Sequence, residues 1–407
     1  MRRVLVVLGT RPDIIKLGPV CAALKRQPDV IVETFWTGQH IELADGLLEL
    51  FEIDITHKAT DVMEHPRLTG KAAAMLARFA ALLAATRYDY IVVQGDTLTA
   101  MVGGLAGFLE RVPVAHVEAG LRTHDLYSPW PEEFSRRVVS VASTKHFAPT
   151  QESRRNLLSE GVADSAITVT GNTVVDALQY TLKRIGAGYT PHDPAIAALP
   201  KDKKLVLVTG HRRENFGEPM RRVLAGLKEL AADGDKLIVF PVHLNPNVRS
   251  AVAEHLGTSP NIHLLEPLRY PDFVYLMSQA WTVVTDSGGI QEEAPTFGMP
   301  IVITREVTER PEVVQAGFGR LVGSDTAAMV DHVRALTSGA ERVRVAGRNP
   351  FGDGQAAEMI AQAMFGEPED TAIISLPPVG GLRDVRRRDK AGEAAEPAQE
   401  PGIEAAQ

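Results

Sequence analysis

The stretch "RVLVVLGTRPDIIK", residues Arg3–Lys16, indicates the fold class of this chain. A continuous Val/Leu run leads to Gly9, and a helical pattern then opens at Pro12. Apolar runs without polar alternation are typical of parallel strands buried on both faces. Proline is favoured at the first helical position because the missing N–H has no intrahelical partner there. The stretch therefore predicts the strand, turn and helix that open a parallel α/β sheet.

The same alternation of strand-like and helical patterns repeats along the chain, and a second series of it begins in the second half. Strand-like runs at Val30–Gly38, Tyr88–Thr97 and Val112–Gly120 alternate with helical patterns such as Pro12–Arg26 and Ala100–Leu109. A second series begins at "KKLVLVTGHRREN", Lys203–Asn215. Doubly wound α/β domains bind ligands at the carboxyl ends of their strands. We therefore expect two such domains with a ligand cleft between them.

A length of 407 residues exceeds one ordinary core, so two domains are expected. We predict an N-terminal domain over residues 1–170, joined by a returning helix at about 354–366, and a C-terminal domain over 171–353. Residues 187–203 carry prolines and a glycine and predict a surface loop. Residues 367–407 are rich in charge, proline and alanine and predict a disordered tail.

Composition narrows the class of protein. The net charge of −8 argues against non-specific nucleic-acid binding, and Cys21, the single cysteine, excludes an internal disulfide. We expect a cytoplasmic protein without membrane insertion, because no apolar run reaches the length of a spanning helix. The spacing of His, Asp and Glu resembles no metal site, so no metal is expected.

Two glycine turns are candidate anion sites. In "LGTRPDIIK" the backbone N–H groups of the turn, with Arg11 and Lys16, could hold an anion. A plain turn with two solvated bases is the alternative. In "TDSGGIQEEAP" the residues Ser287, Gly288 and Gly289 open a helix that could cradle a diphosphate, and Glu293 lies one turn further along the same face. A tight turn with surface glutamates is the alternative there.

Further cations follow other predicted strands of the second half. His211 lies in "VTGHRREN", and Arg305 and Arg310 lie in "ITREVTERPE". Because parallel strands end at one edge, these groups should face one cleft and suit a substrate with two phosphates. Any one of them could equally be a surface ion pair.

Acids gather at strand ends of the first half. Asp96 follows "IVVQG", Glu118 follows "VAHV", and Glu132 follows the Pro-Trp-Pro turn. Poor solvation there is expected to raise their pKa values into a range useful for proton transfer. The alternatives are a helix cap for Asp96, an ion pair with Arg122 for Glu118, and an ordinary first helical turn for Glu132. We interpret Glu133 as a structural residue without a role in proton transfer.

These motifs together resemble a known family. "GTRPDIIK", "QGDT", "HVEAGLRT", "YSPWPEE", "TGNTVVDAL", "TGHRREN", "PVHLNPNV", "TDSGGIQEEAP", "TERPE" and "NPFGDGQA" occur in the order seen in bacterial non-hydrolysing UDP-N-acetylglucosamine 2-epimerases. The likeness spans about Met1–Phe365. It implies a two-domain glycosyltransferase-B-like fold and interconversion of UDP-GlcNAc and UDP-ManNAc without NAD or metal. It also implies dimers, and sugars destined for cell-surface polysaccharide.

The resemblance implies residue roles as well. Asp96, Glu118 and Glu132, assisted by His211, would handle protons. The nucleotide sugar would be bound by Arg11, Lys16, Phe273, Ser287, Gly288, Gly289, Glu293 and Arg310. Elimination of UDP to 2-acetamidoglucal and re-addition would invert C2, which avoids a free carbanion at a non-acidic carbon.

One departure leaves the substrate open. Many family members have His where this chain has Gln94, and glutamine is common in relatives that act on UDP-2,3-diacetamido-uronic acids. A hydrolysing 2-epimerase is a further alternative.

Overall fold

The computed structural model describes residues 1–38, 41–257 and 259–365 of the chain, and in it the first half forms a seven-stranded parallel sheet. The spatial order is β3-β2-β1-β4-β5-β6-β7. Its strands are β1 Arg2–Leu8, β2 Val30–Trp36, β3 His57–Lys58, β4 Tyr90–Gln94, β5 Val114–Val117, β6 Lys145–Ala148 and β7 Ile167–Val169.

The second half forms a six-stranded parallel sheet in the order β10-β9-β8-β11-β12-β13. Its strands are β8 Lys204–Thr209, β9 Lys236–Pro241, β10 Ile262–Leu265, β11 Thr282–Thr285, β12 Ile301–Ile303 and β13 Gly319–Leu321.

Helices connect the strands of both sheets. In chain order they are α1 Arg11–Lys25, α2 Ile41–Leu50, α3 Leu68–Ala85, α4 Leu98–Leu109, α5 Glu132–Ala142, α6 Gln151–Ser159, α7 Thr173–Ile185, α8 Pro194–Ala197, α9 Glu218–Ala232, α10 Pro246–Leu256, α11 Tyr270–Gln279, α12 Gly288–Glu293, α13 Pro311–Gln315, α14 Thr326–Leu336 and α15 Ala356–Phe365.

The opening stretch lies at the centre of the first sheet. Residues 4–8 of β1 are fully or almost fully buried, and β1 pairs with both β2 and β4. A strand flanked on both edges and covered on both faces needs a continuous apolar run, which is what this stretch supplies. The doubly wound α/β class is confirmed for both halves.

Two features of the fold were not foreseen. The short edge strands β3 and β13 have few apolar residues to signal them. The predicted surface loop 187–203 contains α8, whose Asp193 accepts a hydrogen bond from Ala195 N–H at 2.9 Å. Ile196 and Leu199 anchor this segment because both side chains are buried.

The chain passes between the halves at two places. Gly171 and Asn172 lead from β7 into α7, which packs against α1, α11 and α12. Residues 349–355 lead back to α15, which packs on α1 of the first half. The tail predicted over 367–407 lies outside the described residues.

One described helix, α3, is long and apolar enough to cross a membrane by length and composition alone. It has 18 residues with a mean hydropathy of 1.4, and 11% of them are buried. Met75 and Phe79 pack into the core above the first sheet, where Phe79 stacks on Phe35 with ring centroids 4.2 Å apart. The half-buried Leu76, Leu82 and Leu83 pack against the same core, and most of the exposed positions of the helix are alanines.

Candidate active site

The site lies where the strand order of each sheet reverses. In the first sheet this point lies between β1 and β4, and in the second it lies between β8 and β11. Successive strands are added to the sheet in opposite directions on its two sides. Chain segments leaving neighbouring strands diverge there and open a crevice at the carboxyl edge. Asp96 follows β4, Glu118 follows β5, His211 follows β8 and Ser287 follows β11.

Glu118 is the most constrained of the predicted acids. It is buried, and its backbone has a positive φ of 64°, a conformation that costs a non-glycine residue about 1–3 kcal/mol and is common at functional sites. Lys16 Nζ and Asn172 Nδ2 both donate to its Oε2, the latter at 2.8 Å. Burial opposes ionisation, but the charges of Lys16 and Arg310 and the hydrogen bonds from Lys16 and Asn172 together outweigh it and lower the pKa of Glu118.

Two expectations for Glu118 were wrong. The sequence predicted a raised pKa, and the buried ammonium of Lys16 lowers it instead. Arg122 is not its partner, because the Arg122 guanidinium binds Glu160 at 2.7 Å and Ser140 at 2.9 Å on the far side of the loop.

Asp96 is not a helix cap. Thr97 caps α4 instead, accepting from Ala100 N–H at 3.1 Å. The Asp96 carboxylate accepts hydrogen bonds from the buried Arg136, whose Nε lies 3.2 Å away. Arg136 was not predicted, since it lies on α5 and reaches Asp96 only in the folded molecule.

Two adjacent glutamates with different surroundings follow the Pro-Trp-Pro turn. Glu132 begins α5, and its Oε2 is buried without a hydrogen-bond partner among the described residues. Glu133 is fully buried and accepts from Thr123 N–H at 3.1 Å and from Arg136 at 3.0 Å. Glu133 is therefore structural, whereas Glu132 retains an acceptor for a further group.

The turn before α1 is closed to anions at its backbone. Asp13 Oδ2 accepts from the N–H groups of Gly9 at 2.9 Å and Thr10 at 2.8 Å. The expectation that these amides bind an anion was wrong, since a carboxylate three residues along the helix already occupies them. Only the Arg11 and Lys16 side chains remain as anion ligands here. Burial raises the pKa of Asp13 to about 7.

Asp286 organises the loop that carries His211. Its carboxylate accepts from His211 N–H at 3.1 Å, Arg212 N–H at 3.0 Å and Asn215 Nδ2 at 3.0 Å. The His211 ring stacks on His243 with centroids 5.4 Å apart, and its Nδ1 lies 3.7 Å from Asp286. Burial lowers the pKa of His211, which favours the neutral imidazole.

The turn into α12 is open and lies under a guanidinium. Ser287 N–H donates to Thr285 Oγ1 at 2.9 Å. A side chain on Gly288 would meet the Arg310 guanidinium at 2.6 Å, so this cation lies against the first residue of α12. The charge of Arg310 is thus held beside the turn that the sequence predicted to cradle a diphosphate.

Four buried charges join the two halves. Lys16 pairs with Glu118 of its own half and lies 3.6 Å from Glu292 on α12. Arg310 Nε donates to Glu292 at 2.8 Å. We call Lys16, Glu118, Glu292 and Arg310 the charge bridge. Glu292 was missed because helical spacing from Gly289 favoured its neighbour Glu293.

A cavity of about 830 Å³ is lined by residues of both halves, among them Arg11, Leu268 and Tyr270. Tyr270 O–H donates to Glu293 Oε1 at 2.6 Å. Burial raises the pKa of Glu293 to about 7. Phe273, three residues further along α11, is half-buried against the core.

The described residues contain no group of three or more His, Cys, Asp or Glu that could hold a metal ion. The arrangement instead offers carboxylates and an imidazole on one side and cations on the other, which suits proton transfer beside an anionic leaving group.

Known proteins with the same sequence pattern identify the family. A family model described as UDP-N-acetylglucosamine 2-epimerase matches residues 22–365. The UDP-N-acetylglucosamine 2-epimerase of Escherichia coli K12 is 44% identical over 368 residues, covering 89% of this chain and 98% of the relative.

Solved structures agree with that match. UDP-GlcNAc 2-epimerase from Neisseria meningitidis bound to UDP-GlcNAc superposes with a TM-score of 0.83 at 39% identity, over 89% of this chain and 99% of that one. A glycosyltransferase of kitacinnamycin shares the fold alone, with a TM-score of 0.56 at 12% identity over 89% of this chain and 95% of that one. The two-domain, glycosyltransferase-B-like prediction is thereby confirmed. The chain belongs to the UDP-N-acetylglucosamine 2-epimerase family of isomerases.

Proposed function

We propose that the chain catalyses reversible C2 epimerisation of UDP-GlcNAc to UDP-ManNAc. The main observation in support is the charge bridge. It places the buried Glu118 and the two cations Lys16 and Arg310 around one cleft between the sheets. The activity of the E. coli and N. meningitidis relatives, which align over nearly their whole lengths, supports the same substrate.

The proposed route is elimination followed by re-addition. A base removes the C2 proton while the C1–O bond breaks and its electron pair passes to the β-phosphate. The products are 2-acetamidoglucal and UDP, both retained in the cleft. Re-addition of UDP to C1, with protonation of C2 from the other face, gives the epimer. Each proposed step balances through proton transfer and cleavage or formation of the C1–O bond, and no step of the proposal uses NAD or a metal.

The acids suit proton transfer from two faces. Glu118 is held ionised by Lys16, and Glu132 keeps a buried carboxylate oxygen without a partner among the described residues. Asp96 is oriented by Arg136, and the neutral His211 can accept a proton. General acid–base groups each contribute about 10²–10⁴-fold in rate.

The cations suit the leaving diphosphate. Arg310 lies over Gly288, and the open α12 amides stand beside it, so charge developing on UDP meets preorganised donors. Arg11 and Lys16 approach from the first half. Glu293 with Tyr270 would accept hydrogen bonds from ribose hydroxyls, and Phe273 would support the uracil.

We also propose a homodimer formed by the first half. The exposed apolar residues Phe108, Leu109 and Val141 lie at the C-terminal ends of the packed helices α4 and α5. A large exposed apolar patch on a protein surface marks an association site. A cytoplasmic location is proposed with the substrate, because nucleotide sugars are cytoplasmic metabolites.

The test is ¹H NMR of UDP-GlcNAc with the enzyme in D₂O. We expect UDP-ManNAc to appear with deuterium at C2, while UDP stays at a small, steady level. Continuous release of UDP with free ManNAc would show a hydrolysing enzyme. Turnover of a UDP-2,3-diacetamido-uronic acid but not of UDP-GlcNAc would show that the substrate is wrong.

A further inference from the structure

Asn172 connects the candidate site to the place where the chain crosses between the halves. It follows β7 in "TGN" and is 2% exposed. Its Oδ1 accepts from Val174 N–H at 3.0 Å, which caps α7. Its Nδ2 donates to Glu118 Oε2 at 2.8 Å. Because the cap requires the oxygen, the amide must present its N–H₂ to the carboxylate.

The backbone of Asn172 is fixed by the returning segment. Its N–H donates to Phe351 O at 2.6 Å. A side chain on Gly171, whose φ is +86°, would lie 2.9 Å from Phe351 O, and one on Gly352 would lie 3.2 Å from Gly171 Cα. The two crossing segments therefore pack backbone against backbone, which leaves Asn172 no freedom to shift away from Glu118.

The two oxygens of Glu118 have different surroundings. Lys16 Nζ and Asn172 Nδ2 both donate to Oε2. No donor to Oε1 is found in the described parts of the chain. Oε1 lies on the side of Gly95, where a Cβ would be 3.6 Å away, and Gly95 directly precedes Asp96. The free oxygen thus points to the turn that carries the second acid.

We propose that Asn172 is a positioning residue for the proposed epimerisation: with Lys16 it holds Oε2 of Glu118 and so directs Oε1 to transfer the C2 proton. This inference rests on the proposed function and deepens it. Lys16 alone cannot set the orientation, since an ammonium on a flexible stem is a point charge without a preferred plane. The amide of Asn172, fixed by its cap and its backbone, supplies that direction.

The decisive variants keep the cap and remove the donor. Asn172→Asp retains a capping oxygen but sets a second acid against Glu118. Asn172→Ser retains a good capping residue but is too short to reach Glu118. We expect both to lower kcat about tenfold to hundredfold, the range for a hydrogen bond to a charged group. KM for UDP-GlcNAc should change by less than about threefold, since the proposed role of Asn172 is exerted through Glu118 and not through binding of the substrate.

The pH profile separates positioning from mere packing. In Asn172→Asp the neighbouring carboxylate raises the pKa of Glu118, so the acid limb of kcat should move to higher pH. Asp325→Ala is the control, because Asp325 caps α14 through Ala328 N–H at 3.0 Å, at an exposed position. It should lower Tm and leave kcat unchanged.

The outcomes are distinguishable. Unchanged kcat and pH profile in both Asn172 variants, with active wild type, would overturn the role of Asn172 alone. A rise in KM at constant kcat would also overturn it, since positioning for proton transfer acts on kcat. Wild type that forms no epimer from UDP-GlcNAc would instead refute the proposed function.

Discussion

Lys16 is the residue at which the charges of the two halves meet. It is almost completely buried, pairs with Glu118 and approaches Glu292 to 3.6 Å. Removing one partner of a buried ion pair leaves an uncompensated charge, which costs more than the pair itself contributes. The stability of the cleft and the ionisation of Glu118 therefore depend on the same ammonium.

Lys16→Met should lower the unfolding free energy by about 3–5 kcal/mol at pH 7.5 and abolish most activity. Glu118 has a lowered pKa, so its contribution to stability is present above its ordinary range and is lost as the pH falls through the folded value. The loss of unfolding free energy caused by Lys16→Met should therefore be smaller at acidic pH. Urea denaturation at several pH values measures it, with Lys25→Met, an exposed lysine of the same helix, as the control. Equal stability losses in the two variants would contradict this account.

Glu293 carries the opposite pH signature. Burial raises its pKa from 4.5 to about 7, so the folded chain holds a proton that the unfolded chain has released. Its contribution to stability is full below about pH 4.5 and is lost as the pH rises through about 7.

Glu293→Gln mimics the protonated form. The variant should match wild type near pH 4 and exceed it by about 3 kcal/mol at pH 8, since each pKa unit corresponds to about 1.4 kcal/mol. Ligand-free denaturation at both pH values tests this. Asp13, whose pKa is also raised, titrates in both proteins and cancels from the difference. A difference in unfolding free energy between Glu293→Gln and wild type that does not change with pH would contradict the raised pKa of Glu293.

At the level of elements, the sequence predicted those candidate site residues that lie at the ends of strands. Asp96, Glu118, His211 and Ser287 could be predicted because a parallel sheet gathers its carboxyl ends at one edge. Asp13, Arg136, Tyr270 and Glu292 could not. Arg136 and Tyr270 reach the site from helices, through contacts that local patterns do not encode.

The missed acids show a second limit. Glu292 and Glu293 are adjacent, and spacing alone could not say which would meet Lys16 and Arg310 from elsewhere in the fold. The pKa of Glu118 was predicted with the wrong sign for the same reason. Burial is visible in the sequence, whereas the counter-ion that offsets it is supplied by another element.

The helices α4 and α5 carry the proposed dimer face. Val141 is 84% exposed and Phe108 is 61% exposed, which is unusual for large apolar side chains unless a partner covers them. Val141→Asp should convert a dimer to a monomer in sedimentation-velocity experiments. Val343→Asp, a substitution at an exposed position of the second half, should leave the dimer intact. A wild-type monomer at micromolar concentration would contradict the proposed interface.

In the proposed elimination, the whole molecule would hold a cleaved substrate between its two sheets. The first half supplies the acids, the second supplies Arg310 and the α12 amides, and Lys16 contacts both. Such a division suits a reaction in which a sugar and a nucleotide separate and rejoin. An enzyme that only moved a proton would not need to hold two fragments, because its substrate would stay in one piece.

Breakage of the C1–O bond distinguishes the proposed elimination from a route in which UDP stays attached, and positional isotope exchange detects it. UDP-GlcNAc is prepared with ¹⁸O in the oxygen that bridges C1 and the β-phosphorus. If UDP leaves and returns, its β-phosphate rotates while free. ³¹P NMR of recovered UDP-GlcNAc should then show label in non-bridging positions, growing as UDP-ManNAc forms. Formation of UDP-ManNAc with all label still bridging would contradict the elimination route.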